Sequence, residues 1–258
     1  MAGLMFISLG LYSKRDISQG ALELGRSCDH LYFEGYTSFY ETSVEELSSI
    51  FGKNVKLLSR DWLEDRFESI LSEASKATVG LLIVGDCFFA TTHTFLLKEA
   101  KERNIPVRVA HGSSILSAVG ETGLFLYNFG KITSIPFKHD GVIAPYEALG
   151  SNLSSGLHTL FLLDLDISSS RYLSFFEALS YLLLCEQTLK KGYISKETKV
   201  VVCCALGSEY SKIYFGTIDQ LSSLPLQPSP QSVIVPSTTL HFMEEDVLSL
   251  YDVGKYGA

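Results

Sequence analysis

The sequence predicts an α/β protein organised as two lobes, and three observations lead there. Short apolar, β-branched runs alternate with amphipathic stretches along the whole chain, which is the pattern of parallel α/β architecture. A hydrophobic fraction of 46% beside 19% charged residues suits a folded chain with a sizeable core. At 258 residues one large domain and two smaller ones both fit, and a less regular stretch with four glycines between Gly112 and Gly130 marks a break. The lobes are therefore expected at residues 1–112 and 113–258.

Leu4 to Leu9 forms the first strand, apolar enough to be buried. After Gly10, Asp16 or Ser18 caps a helix that reaches Arg26, and His30 to Phe33 makes the second strand. Val44 to Phe51 and Trp62 to Lys76 have helical spacing. Val79 to Val84 is the strongest buried-strand candidate, broken by Gly85-Asp86. Thr92 to Arg103 is a helix and Pro106 to Ala110 a strand. In the second half Leu157 to Leu165 is a strand, Ser174 to Lys191 a long helix, and Val200 to Leu206, Lys212 to Thr217 and Ser232 to Val235 further strands. Three prolines between Leu224 and Pro230 preclude a regular central element there, so a surface connection is expected.

The formal net charge is −8 and no Lys/Arg block exists, which argues against nucleic acid, because phosphate neutralisation needs clustered cations. Five cysteines without Cys-x-x-Cys spacing suggest neither a disulfide framework nor a zinc site, hence a reduced compartment and no metal. The N-terminus lacks a basic segment before its apolar run, and no apolar stretch reaches ~18 residues, so neither a signal peptide nor a membrane span is expected. The expected location is the cytoplasm.

Ligands of open parallel sheets bind beyond the carboxyl ends of strands, which singles out several positions. Asp86 follows the Val79 to Val84 run and either holds a ligand or caps the next turn. Thr91-Thr92-His93-Thr94 offers hydroxyls and an imidazole at a loop-to-helix junction; the simpler reading is N-capping by a Thr with His93 facing solvent. His111-Gly-Ser-Ser-Ile115 stands at another carboxyl edge, where His111 serves either as a hydrogen-bonded structural residue or as a base. Leu163-Asp164 and Leu206-Gly207 end two strands of the second half and are otherwise ordinary core leucines. Dinucleotide, P-loop, nucleophile-elbow and zinc-protease fingerprints are all absent from the sequence.

The order of motifs resembles that of the diphthine synthases, a branch of the tetrapyrrole-methylase group, from Met5 to about Val253. The matching stretches include Ile7-Ser-Leu-Gly-Leu11, Tyr32-Phe-Glu-Gly-Tyr-Thr-Ser38, Val84-Gly-Asp86 with Ala90-Thr-Thr-His-Thr94, Ser114-Ile115, Gly156-Leu-His-Thr159 and Leu240-His241 with Met243-Glu244. The resemblance implies two α/β lobes of the tetrapyrrole-methylase type with a cofactor cleft between them. It implies S-adenosyl-L-methionine as cofactor, S-adenosyl-L-homocysteine as product, and a pocket lined by Leu11, Asp86, Phe89, Ser114, Ile115, Leu163, Leu206 and Gln231. It further implies a cytoplasmic homodimer that repeatedly methylates the 3-amino-3-carboxypropyl-histidine of elongation factor 2 in diphthamide biosynthesis. The alternatives are an impaired scaffold that binds the same factor, or a related methylase acting on tetrapyrrole or rRNA.

Five neighbourhoods depart from the pattern of that group. Cys87-Phe88-Phe89 stands where Pro-Phe-Gly is usual, Gly112 replaces a common Asn, Ala205 a common Arg, Gln231 a common His, and Ser8 a Gly. A ring at residue 89 either clashes with a nucleoside or refills a rearranged pocket. The acceptor amine must lose a proton before attack. The group that takes it stays open at this level, with His111 and His158 as imidazole candidates, and so does the choice between three and four transfers.

Overall fold

The computed structural model describes residues 2–59 and 67–256. The chain forms two units, Met1–Ala118 with Ile167–Ser169, and Val119–Asp166 with Ser170–Ala258.

The first unit runs β1 (Gly3–Ser8), α1 (Gln19–Ser27), β2 (His30–Glu34), α2 (Val44–Phe51), β3 (Val55–Leu58), α3 (Phe67–Ala74), β4 (Thr78–Ile83), α4 (Thr94–Glu102), β5 (Val107–Ala110) and the short α5 (Ile115–Ala118). Of the helix expected over Trp62 to Lys76, residues 62–66 lie outside the described residues. The strands stack in the order β3-β2-β4-β1-β5, and every pairing is parallel. All carboxyl ends therefore leave the sheet along one edge.

Alternation of side chains across a strand explains why β1 is apolar throughout. Leu4 and Phe6 pack with Ile70 and Leu71 of α3 and Leu96 and Ala100 of α4. Met5 and Ile7 face the other way, against Ala21 and Leu24 of α1 and Leu47 and Phe51 of α2. A sheet covered on both faces has no solvent side on which to place polar residues.

The helix starts follow local chemistry. Ser18, not Asp16, caps α1 by accepting a hydrogen bond from Ala21 N at 3.1 Å. The Asp16 carboxylate instead turns back to accept from the N–H groups of Tyr12 and Ser13, at 2.7 and 2.9 Å, and so fixes the loop after β1.

The second unit contains β6 (Thr133–Ile135), α6 (Ala144–Ser154), β7 (Thr159–Leu163), a small hairpin of β8 (Leu165–Asp166) and β9 (Arg171–Tyr172), α7 (Phe175–Leu189), β10 (Lys199–Cys204), β11 (Lys212–Thr217), α8 (Ile218–Leu221), β12 (Gln231–Val235), α9 (Phe242–Leu248) and α10 (Val253–Tyr256). Its sheet has the order β11-β10-β12-β7-β6. Here the parallel expectation fails. The β6/β7 pair is parallel, but β7/β12, β12/β10 and β10/β11 are antiparallel. The connection from Cys204 to Lys212 is too short to hold the crossover helix that a parallel neighbour needs, so β11 folds straight back.

The proline-rich segment before β12 is irregular, as expected, and Leu226 is 85% exposed. It is not purely a surface connection, because Leu224 and Gln227 are buried.

Candidate active site

In the first unit the register brings the ends of β4, β1 and β5 together: Ser8 pairs with Ile83, and Ile7 with Ala110. The loops that follow carry Leu11, Asp86, Phe89, His111, Ser114 and Ile115, so these residues share one carboxyl edge. Just beyond the strands Gly10 and Gly85 form a bridge, with Gly85 N donating to Gly10 O at 2.8 Å. Gly10 has φ +85°, and a Cβ there would meet Cβ of Asp16 at 2.3 Å, so only glycine turns the chain here.

Asp86 is the hub of this edge. Its Oδ1 accepts from Phe88 N at 3.0 Å. Its Oδ2 takes Nδ1 of His111 at 2.8 Å and Gly112 N at 3.3 Å. Partial burial raises the Asp86 pKa, but these donors overcome it and hold the carboxyl below its ordinary value. Asp86 therefore caps its own turn and also reaches across to the loop after β5. The two sequence readings of Asp86 are compatible.

Behind Asp86, Ser8 locks the turn after β4. Its hydroxyl accepts from Cys87 N at 3.0 Å and donates to Cys87 Sγ at 3.3 Å. Phe88 packs into the core beside Phe6, with ring centroids 5.1 Å apart, while Phe89 stays half-buried at the edge. Leu11 and Ile115 are likewise half-buried, and Ser114 is buried.

Two histidines lie elsewhere than the sequence suggested. His93, expected at the surface, is 2% exposed and sits at the N-cap of α4 without a side-chain cap bond. Both of its ring nitrogens lack a hydrogen-bond partner, and burial pushes its pKa down to about 4. The expected capping of α4 by a Thr side chain is not made: His93 occupies the N-cap, and the Thr91 hydroxyl donates instead to the Cys87 carbonyl at 2.9 Å. His158 precedes Thr159 at the amino end of β7, the opposite end of that strand from Leu163. Its Nε2 meets Glu244 Oε1 at 3.0 Å and its Nδ1 accepts from Ser237 N at 2.9 Å, with both members of the pair 1% exposed. This closed pair has no free nitrogen for a substrate.

In the second unit β7 and β10 both run antiparallel to β12 and hence point the same way. Leu163 and Leu206 thus leave the sheet at one edge, where β12 begins with Gln231 opposite Cys204. All three are buried. The Gln231 amide is fully engaged: Oε1 accepts from Phe175 N at 2.8 Å, and Nε2 donates to the carbonyls of Gln227 and Pro228 at 3.0 and 3.2 Å. Ala205 holds φ 45° at this edge, a left-handed conformation that strains a residue bearing a Cβ.

The sequence located these edges but missed how Asp86 and His111 join. The signal lay in the register of the strands that precede them, which one sequence does not print. Among the described residues no group of three or more His, Cys, Asp or Glu side chains gathers as metal ligands, and no helix is long and apolar enough to cross a membrane.

The family model of the tetrapyrrole (corrin/porphyrin) methylases matches residues 3–222. The chain is 38% identical to diphthine synthase of Methanocaldococcus jannaschii, over 95% of this chain and 97% of that protein. It is 33% identical to the diphthine methyl ester synthase of Schizosaccharomyces pombe, over 96% of this chain and 93% of that protein. A crystal structure of diphthine synthase superposes with a TM-score of 0.88 at 31% identity, covering 96% of this chain and 95% of the other.

Proposed function

The chain belongs to the tetrapyrrole methylase family and is a methyltransferase, and from that premise we propose that it methylates an amino group on elongation factor 2 in diphthamide biosynthesis. The acceptor is the amino nitrogen of a 3-amino-3-carboxypropyl group on one histidine, methylated more than once. The observation that carries this reading is the gathering of Leu11, Asp86, Phe89, Ser114 and Ile115 on one carboxyl edge, in a chain that diphthine synthases match over nearly its full length.

These residues fit S-adenosylmethionine. Half-buried Leu11, Phe89 and Ile115 offer apolar surface for a flat ring, and the ionised Asp86 gives the edge the negative potential that a cationic ligand favours. A Cβ built at Gly85 would meet Ser114 Cβ at 3.7 Å, an ordinary van der Waals contact, so the loops after β4 and β5 lie close together here. In the second unit, taken by itself, Leu163, Leu206 and Gln231 are the residues that the resemblance to diphthine synthases proposes for cofactor contact. With its amide already engaged, Gln231 contributes by holding the start of β12 and α7 in shape rather than by offering a new hydrogen bond. When bound, S-adenosylmethionine supplies an activated methyl group on a sulfonium. The protein's task is to align the acceptor with it, which is worth up to ~7–11 kcal/mol in favourable cases. The five cysteines are free and buried, which agrees with a cytoplasmic enzyme, and resemblance to the family supports a homodimer.

Titration with S-adenosylhomocysteine tests the cofactor assignment. Saturable heat is expected, together with a raised thermal midpoint worth ~2.7 kcal/mol at a hundred times Kd. Absence of both at millimolar ligand would mean a scaffold without cofactor.

A further inference from the structure

The proposed transfer leaves one chemical task unassigned, because an ammonium has no lone pair until it gives up a proton. We propose that His111 is the general base of this reaction, oriented by Asp86, and that it receives the acceptor's proton on Nε2. The proposal rests on the methyltransferase reading above and on the geometry of the first unit.

Nδ1 of His111 lies 2.8 Å from Oδ2 of Asp86. An ionised carboxylate accepts but cannot donate, so Nδ1 carries the hydrogen and the neutral ring keeps its lone pair on Nε2. Asp86 itself is fixed by the N–H groups of Phe88 and Gly112, and the Phe88 ring stands edge-on to the imidazole at 6.4 Å. Asp86 is the titratable group that touches His111 among the described residues. The imidazole is 71% exposed, which lets it discharge its proton to water between transfers. Neither other candidate offers this: His93 is sealed and weakly basic, and both nitrogens of His158 are engaged.

The step balances. An acceptor N–H proton moves to Nε2 of His111, the freed lone pair forms the N–C bond, and the methyl carbon's bond to sulfur breaks with its electron pair remaining on sulfur. Each transfer releases one proton, which leaves His111 for solvent.

His111→Gln and His111→Ala are compared with wild type for methyl transfer and for S-adenosylhomocysteine binding, and 15N NMR of labelled histidine reads the tautomer. The expected result is binding within about threefold of wild type, a fall in kcat of about 100- to 10,000-fold, and loss of the acidic limb of the pH–rate profile. Added imidazole partly rescues His111→Ala. Wild type shows the Nδ1–H tautomer, and Asp86→Asn loses that preference. Near-normal kcat with an intact acidic limb in His111→Gln overturns the proposal, as does loss of cofactor binding in both variants. If wild type binds the cofactor product yet methylates nothing, the acceptor reading fails by itself. The tautomer then still decides the pair, since an Nε2–H ring in wild type overturns it.

Discussion

Ser8, Cys87 and Gly112 interlock at the edge that carries Asp86. A Cβ at Gly112 would lie 2.8 Å from Cβ of Ser8, closer than two such atoms approach in practice. In sequence, Ser for Gly at residue 8 and Gly for Asn at residue 112 are two separate departures from the family pattern. In the structure the two positions face each other, and the Ser8 side chain fits because residue 112 has none. Gly112→Ala is therefore expected to lower stability by ~1–3 kcal/mol, read from the urea midpoint. Adding Ser8→Gly is expected to recover much of that loss, and strictly additive losses in the double-mutant cycle would contradict the steric coupling of the two positions. The burial of His93 was not legible, because nothing in Thr-Thr-His-Thr tells which side of the turn faces inward.

At the scale of elements, α9 is held to the amino end of β7 through Glu244. Its Oε1 accepts from Phe125 N at 2.8 Å and from His158, and its Oε2 accepts from His241 N at 2.9 Å. Burial raises the Glu244 pKa, yet these donors bring it below its ordinary value of 4.5. A carboxyl depressed on folding stabilises fully above its unfolded pKa and loses that contribution as pH falls through the folded one. Stability is thus expected to decline in acid below about pH 4.5, with Glu244→Gln lacking this part of the decline. Glu244→Ala is expected to lower stability by ~3–5 kcal/mol, because it strands buried donors; a loss within error in a thermal melt would contradict the tie. The long α7 was legible from its length and the Ser174 cap, and the central strands β1 and β4 because both of their faces are buried. The short β3, with Lys56 and Leu57 exposed, and α6, with Pro145 in its first turn, carry too little periodicity to stand out.

At the scale of the molecule, alternation of strand and helix foretold two α/β units, and strand ends foretold that Asp86, His111 and Ser114 share one carboxyl edge of the first unit. Strand direction in the second unit was not foretold, because apolar runs read the same in either direction and only the Cys204 to Lys212 connection distinguishes them. The acidic net charge of −8 matches a protein acceptor better than an RNA one, so related RNA methylation is the weaker reading. The decisive measurement is mass spectrometry of elongation factor 2 carrying the unmethylated 3-amino-3-carboxypropyl-histidine, after incubation with this protein and S-adenosylmethionine. The account predicts successive methyl-sized mass gains confined to that histidine peptide. An unmodified peptide, with S-adenosylhomocysteine binding intact, would contradict it.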